Sequence, residues 1–357
     1  MGGELLVYGS YGYTGSLIAR RAVAEGMSPI LAGRRAEPVE RQATMLDCDH
    51  RVFSLDHPAI VEEAIEDADV LVNCAGPFAD TARSLVEACL RTGTEYLDIT
   101  GEYRVLESIA ERDREAERAE ITLLPGVGFT VAVTDCLAAL LDAELSSATH
   151  LELGVDHGGT ASAGTAKSGI EGLRTPGAVR EQGAIREVPA AWRRREIDFG
   201  DGPRTAVTIP TGDVSTAYYS TGIPNVETYV TVPERAAWAM ERTRWATPIL
   251  AAGPVQRLLK RTADVLVSPP SSDDRAAGGC RVWGEVVDDD GNVADGRLRT
   301  PDPFDVTTDT AVEAARRVLD GDVSPGFQTP ASAFGPSFAL ELDGIEVEGA
   351  VAYAGVE

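Results

Sequence analysis

Three glycines, Gly9, Gly12 and Gly15, stand in the run Leu5-Leu6-Val7-Tyr8-Gly9-Ser10-Tyr11-Gly12-Tyr13-Thr14-Gly15, between a short apolar strand and an amphipathic segment over Ser16 to Glu25. That arrangement suits the binding of a phosphate anion. Glycine admits positive φ and close backbone approach, so Gly9 would make the tight turn, Gly12 would admit a pyrophosphate, and Gly15 would let helix and strand pack. Backbone N–H groups of the turn and the helix start, from Tyr11 through Tyr13 and Thr14, would then hold the anion. The spacing is G-x-x-G-x-x-G rather than the standard G-x-G-x-x-G, and on the glycines alone a plain strand-turn-helix remains the alternative.

A second strand, Pro29 to Ala32, ends in Gly33-Arg34-Arg35, about twenty residues past the glycines. An NAD site places a carboxylate there for the ribose 2′-hydroxyl. A planar guanidinium instead pairs with a 2′-phosphate through charge-assisted hydrogen bonds, so Arg34 and Arg35 point to NADP(H). Solvated surface arginines are the alternative. Asp56, after the third strand, and Asn73-Cys74-Ala75-Gly76-Pro77-Phe78, after the fourth, are expected at the same sheet edge. In a dinucleotide fold the turn forced by Gly76 and Pro77 runs beside the nicotinamide ribose, so Asn73, Ala75, Gly76 and Pro77 join the cofactor-binding candidates.

Candidate proton donors are few. Asp98 and Glu102 lie at the expected cleft edge, where desolvation can raise a carboxyl pKa enough for proton donation. Each has a structural alternative: Asp98 accepting backbone N–H groups of the next turn, Glu102 sitting at a helix start. Lys167 is the sole lysine before Lys260 and a candidate anion anchor, flanking with His157 the small-residue segment Gly158-Gly159-Thr160-Ala161-Ser162-Ala163-Gly164-Thr165. A Tyr-x-x-x-Lys pair is excluded, because Ala163 and Gln256 hold the positions four residues before the two lysines. Cys74 has no paired histidine in view and reads as an inert core thiol.

These residues need a doubly wound scaffold. Short apolar runs alternate with helical patterns through about residue 124, with strands at Arg51 to Leu55, Asp69 to Ala75, Tyr96 to Ile99 and Ile121 to Leu124 and a helix over Tyr103 to Ala119 among others. Beyond Val131 strand-like runs dominate: Thr149 to Val155, Ala206 to Pro210, Val226 to Val232, Cys280 to Val287 and Val293 to Arg299. Asp288-Asp289-Asp290-Gly291-Asn292 forms a hairpin turn between the last two. Helices over Pro233 to about Leu266 and Thr308 to Leu319 are expected to cover one face of an antiparallel sheet. The reading is α/β: a Rossmann-type doubly wound parallel sheet over residues 1–130, a second α+β domain for substrate or dimerisation over 131–330, and a C-terminal segment, 331–357, packing back on the body.

Composition narrows the partners. Fifty-seven acidic against 32 basic residues give a net charge of −25, a surface kept soluble where salt screens it, which suits a halophilic cytoplasm. Such a surface argues against nucleic acid. The five cysteines show no C-x-x-C pair and the four histidines no metal-ligand spacing, so no metal is expected. No apolar run reaches membrane-span length and the N-terminus enters a core strand directly, giving a cytoplasmic expectation. Between Arg235 and Arg261 six basic residues meet one acid, Glu241, and alternate with Trp238, Met240, Trp245, Ile249, Leu250, Leu258 and Leu259. That stretch, residues 235–261, suits peripheral contact with an anionic lipid surface, with a core-packing helix or a homodimer contact as alternatives.

With Asn73 to Phe78, Tyr96-Leu97-Asp98-Ile99-Thr100-Gly101-Glu102 and Pro125-Gly126-Val127-Gly128-Phe129, the chain resembles the saccharopine dehydrogenase-like oxidoreductases, nearest to their branch that includes the trans-acting enoyl reductases. Gly158-Gly159-Thr160 and Thr329-Pro330-Ala331-Ser332-Ala333-Phe334-Gly335 look like later landmarks of the same family. A serine and proline usual there after Gly-Phe are replaced by Thr130-Val131. The resemblance implies an NADP-binding Rossmann domain and an α+β domain closing over the nicotinamide, and it supplies no catalytic residue. The expected activity is NADPH-dependent reduction of a C=C or C=N bond in a fairly apolar, lipid- or isoprenoid-like substrate. A saccharopine-type amino-acid dehydrogenase, with Arg174, Arg180, Arg186 and Arg193 to Arg195 as carboxylate clamps, is the first alternative. A non-catalytic NADP-binding protein is the second.

Overall fold

The computed structural model describes residues 3–158, 176–243 and 279–348, which form two compact units. The first combines Met1–Cys136 with Phe304–Leu342, and the second Leu137–Pro303 with Asp343–Glu357.

In the first unit β1 (Leu5–Tyr8), β2 (Ile30–Gly33) and β4 (Val70–Asn73) are four-residue strands buried along their whole length. Strands covered on both faces read as unbroken apolar runs, which is the pattern their sequences carry. With β3 (His50–Val52), β5 (Glu95–Asp98) and β6 (Thr122–Leu124) they pair in parallel in the order β6-β5-β4-β1-β2-β3. The order reverses between β1 and β4. That is the topological switch point of a doubly wound sheet, and ligands bind there, outside the carboxyl ends of the strands. Helices α1 (Tyr13–Ala24), α2 (Ala36–Leu46), α3 (Pro58–Ile65) and α4 (Phe78–Thr92) make the crossovers. The helix expected over Tyr103 to Ala119 is two, α5 (Tyr103–Ala110) and α6 (Asp113–Ala119), and α7 (Phe129–Glu144) follows β6.

Three expectations about domain organisation need correction. The boundary falls inside α7, after Cys136, not at residue 130. The helix expected to cover the second sheet, here α10 (Pro303–Leu319), belongs from Phe304 onward to the first unit. So does β15 (Gly326–Phe327), a seventh parallel strand beside β6, whose Phe327 N–H donates to Asp113 Oδ1 at 2.8 Å. Two residues of strand followed by Gln328 carry too little periodicity to be read from sequence. The C-terminal segment divides accordingly, with residues up to Leu342 in the first unit and those after it in the second.

The second unit is built on a nine-stranded sheet, β10-β11-β12-β7-β13-β14-β16, with β8 and β9 attached through β12. Its strands are β7 (Ala148–Asp156), β8 (Gly177–Glu181), β9 (Ala184–Val188), β10 (Arg194–Asp198), β11 (Pro203–Thr208), β12 (Asn225–Thr231), β13 (Cys280–Asp288), β14 (Val293–Thr300) and β16 (Glu346–Glu348). The β13–β14 hairpin turns at Asp288 to Asn292 as its sequence requires. The sheet is mixed, not antiparallel, because β12 and β7 run parallel. Gly154 in β7 leaves room for Ile197, Phe199 and Trp283, each 3.3–3.4 Å from where its Cβ would stand, and these pack with Ala206 and Tyr229. Among the described residues this unit also carries α8 (Asp213–Thr221) and α9 (Glu234–Thr243).

Candidate functional site

The turn after β1 is held from below. Gly9 and Ser10 N–H groups both donate to Ala32 O, at 2.8 and 3.2 Å, and Gly12 N–H donates to Gly9 O at 3.0 Å. Gly9 is the glycine that needs its backbone freedom, with φ +80° and the Ala75 nitrogen 2.9 Å from where a Cβ would stand. Gly12 has an ordinary extended conformation, φ −65° and ψ 167°, so no strain demands glycine there. A Cβ on Gly12 would meet Gly9 O at 3.2 Å, and on Gly15 it would meet the same carbonyl group. Close approach is therefore what selects glycine at both positions.

Helix α1 opens without a side-chain cap. Its N-cap, Gly12, makes no side-chain cap bond, its first turn has no acidic residue, and the first helical bond runs from Ser16 N–H to Gly12 O at 2.8 Å. The amides of Thr14 and Gly15 thus sit ahead of the helical ladder, a position that an anion can complete. Ser10 is fully buried in the same turn, and its Oγ has no hydrogen-bond partner among the described residues. A cradle of small residues, a helix start with no side-chain cap and an orphaned hydroxyl together fit a pyrophosphate.

At the end of β2 both arginines are exposed. Arg34 is in no ion pair among the described residues. Arg35 stands over the Tyr11 ring at 4.9 Å, and that ring packs on Gly33, where a Cβ would lie 2.5 Å from it. Arg34, Tyr11 and Asp56 all act electrostatically on the Tyr8 hydroxyl, whose pKa burial pushes up to about 12. The fold therefore gathers Tyr8, Tyr11, Arg34 and Asp56 at one corner, with Asp56 accepting from Ser54 Oγ at 2.5 Å. Gln42, a buried polar residue on α2, donates from Nε2 to Ser10 O at 2.9 Å and ties the two turns together.

The turn after β4 abuts the first, since Ala75 fills the space beside Gly9. Asn73 Oδ1 accepts from Ala75 N–H at 2.9 Å, Asn73 Nδ2 donates to Thr81 Oγ1 and Tyr96 Oη at 3.2 and 3.3 Å, and Gly76–Pro77 is a cis peptide. Asp98 is fully buried: Oδ1 accepts from Thr100 and Gly126 N–H, both at 2.9 Å, and Oδ2 from the Tyr96 hydroxyl at 2.7 Å. Burial pushes its pKa up to about 6 against the pull of those donors. Glu102 accepts from Phe78 and Ala79 N–H at 2.9 and 3.2 Å, capping α4. Both carboxylates named as proton donors thus brace the turns around the cleft, the structural roles weighed against them. Burial and nearby Asp98 hold the Cys74 thiol well above its usual range, as an inert thiol requires. Lys167 lies outside the described residues.

In the second unit the proposed clamps are already engaged. Arg195 pairs with Glu152, and with Glu285 at 2.7 Å, and lies over the Trp283 ring; Arg193 reaches Glu227 at 2.7 Å and Arg194 reaches Glu234 at 3.2 Å. Arg186 pairs with Glu181, while buried Arg180 donates to the Val214 and Gly183 carbonyls at 2.7 Å. A cavity of about 130 Å³ lies among Arg180, Arg186, Arg193, Glu152, Glu181 and Glu227. Arg174 lies outside the described residues. Sequence reasoning missed one cross-strand pair: His157 Nδ1 is 3.3 Å from Cys280 Sγ, and burial holds the imidazole below and the thiol above their ordinary values. No local motif joins positions so far apart. Of the basic stretch 235–261 only α9 is described; Ala237 packs inward with Ala191 and Val207, and Arg242 covers the half-exposed Trp238. Among the described residues no helix is long and apolar enough to cross a membrane.

Switch-point topology, glycine cradle and a helix start with no side-chain cap at Gly12 are the features of a dinucleotide-binding α/β domain. Residues 5–124 match the family model of the saccharopine dehydrogenase NADP binding domain. Over those residues the chain is similar to that family, and NADP(H) is the cofactor of the matched domain. A saccharopine dehydrogenase-like oxidoreductase of Bos taurus is 30% identical over 123 residues, covering 29% of this chain and 29% of the relative. A trans-acting enoyl reductase of Mycobacterium leprae is 30% identical over 140 residues, covering 37% of this chain and 34% of the relative. The match thus spans about a third of the length of these relatives. Among solved structures, apo saccharopine dehydrogenase (L-Glu forming) from Saccharomyces cerevisiae superposes with a TM-score of 0.67 over 95% of this chain and 96% of that one, at 12% identity. That likeness bears on the fold alone.

Proposed function

We propose that the protein is an NADPH-dependent reductase acting on a C=C or C=N bond of a fairly apolar substrate. Bound NADPH supplies the hydride. Residues at the Gly9, Gly12 and Gly15 turn hold the pyrophosphate, Arg34 holds the 2′-phosphate, and the Asn73–Asp98–Glu102 network fixes the turn at Gly76–Pro77 against the cleft. The observation that carries the substrate class is the engagement of Arg180, Arg186 and Arg193 to Arg195 within their own unit. A saccharopine-type substrate requires guanidinium groups free to pair with its carboxylates. The similarity to an enoyl reductase supports the same choice. NADPH oxidation with an enoyl or isoprenoid lipid fraction is expected, and no NADP⁺ reduction with saccharopine. Turnover of the amino acid and none of the lipid would reverse the assignment.

A further inference from the structure

Helix α10 returns to the first unit nearly three hundred residues after the phosphate turn and packs beside α1. Phe304, in its first turn, meets Tyr13 edge-on, with ring centroids 4.9 Å apart and planes at 81°. Tyr13 is the first residue of α1 and is 40% exposed, so Phe304 fixes a large aromatic side chain at the helix start that would receive the pyrophosphate. One turn on, Thr307 Oγ1 accepts from Phe129 N–H at 3.0 Å, and its methyl group lies 3.4 Å from where a Cβ on Gly128 would stand. Asp309 pairs with Arg21 at 3.4 Å, which sets α10 alongside α1.

One turn of α10 therefore touches two loops at the carboxyl edge of the sheet, the one after β1 and the one after β6. Neither contact reaches the Arg34 corner. A dinucleotide laid across the switch point has its adenosine half over β2 and its nicotinamide half on the β4 side. We propose that Phe304 and Thr307 are positioning residues for NADP(H), bracing the pyrophosphate and nicotinamide half of the site while leaving the adenosine half untouched. The inference rests on the NADP(H) reading of the first unit and adds to it a segment outside the matched residues 5–124.

The test is a pair of titrations on the full chain, with NADPH and with adenosine 2′-monophosphate, which carries the 2′-phosphate but neither pyrophosphate nor nicotinamide. Phe304→Ala should raise Kd for NADPH about fivefold, the affinity equivalent of one aromatic edge contact, and leave Kd for the monophosphate unchanged. Thr307→Val, nearly isosteric, should act in the same direction. Where Phe304→Ala fails to fold, Phe304→Leu and Thr307→Val carry the test, with thermal melts alongside. Unchanged NADPH affinity, or equal losses for both ligands, would overturn the proposal. Failure of the unaltered protein to bind either ligand would instead overturn the NADP(H) reading beneath it.

Discussion

The carboxyl edge of the first unit and the charged face of the second differ in how their polar groups are satisfied. Around the phosphate turn Gly12 gives α1 no side-chain cap, and among the described residues Ser10 Oγ has no partner and exposed Arg34 is in no ion pair. On the second sheet, carboxylate meets guanidinium at Glu152, Glu227 and Glu285 with Arg193 and Arg195. Charge density alone would rank the second region higher as a site. Unmet valence ranks the first, because a buried or oriented polar group left unpaired costs free energy that a ligand can recover. The comparison separates groups arranged for a ligand from groups arranged for each other.

Gly12→Val should break the first region most completely. The side chain would project into the space the pyrophosphate must enter, and Gly12 has ordinary φ, so the apo fold can accept it after a small shift from Gly9 O. NADPH affinity should fall more than about a hundredfold, while unfolding stays cooperative. Normal binding by this variant, measured by fluorescence titration, would place the phosphate elsewhere.

Arg195→Met should produce the opposite signature. Its removal leaves Glu152 and Glu285, 25% and 23% exposed, without their shared cation, and a loss of about 3 kcal/mol in stability is expected. The affinity for NADPH should not move. A stable variant with weakened cofactor binding would show that the face has a ligand role after all.

Asp98 sharpens the comparison from within the first unit, because it is fully hydrogen-bonded yet poorly placed for charge. Its folded pKa, about 6, lies above that of an unfolded carboxyl, so the native state binds more protons in the interval between them. Stability from this group is present below the unfolded value and is lost as pH rises through 6. In Asp98→Asn, Oδ1 keeps the Thr100 and Gly126 amides and the titration disappears. The stability of the parent protein relative to this variant should therefore fall by about 2.4 kcal/mol between pH 4 and pH 7 in urea denaturation. A pH-independent difference would mean that Asp98 titrates normally.

Much of the first region was legible because its signals are local. An unbroken apolar strand, spaced glycines and a basic strand end lie within 35 residues, and each motif needs only its own neighbours to act. Glu102 and Asp98 were placed correctly at the edge, but their partners, Phe78, Ala79, Thr100 and Gly126, are set by strand order, which spacing does not reveal. Gln42 did leave a trace: it is polar in the buried stripe of α2 with Val39 and Ala43, and only the fold shows that it faces Ser10 O. Phe304, Thr307 and β15 left none, since a returning segment declares its destination only through long-range packing. In the second unit β9 and β10 escape the pattern because their mostly exposed, charged sequences resemble a polar loop, while β8 is only five residues, buried over its first four.

The smallest effect should come from Arg34→Ala, and it divides the site internally. Arg34 is exposed, so water partly replaces its contact with the 2′-phosphate, and the loss should be about 2 kcal/mol for NADPH. NADH lacks that phosphate and should bind as before, so the ratio of the two affinities should fall about thirtyfold. Arg35 stacks on Tyr11 and can hold part of the charge near the same corner. Arg35→Ala alone should therefore weaken both cofactors modestly, and the double variant should remove the preference. An unchanged ratio in Arg34→Ala would mean that exposure and an unpaired guanidinium are not enough to mark a phosphate site, and the contrast between the two regions would then rest on the helix start alone.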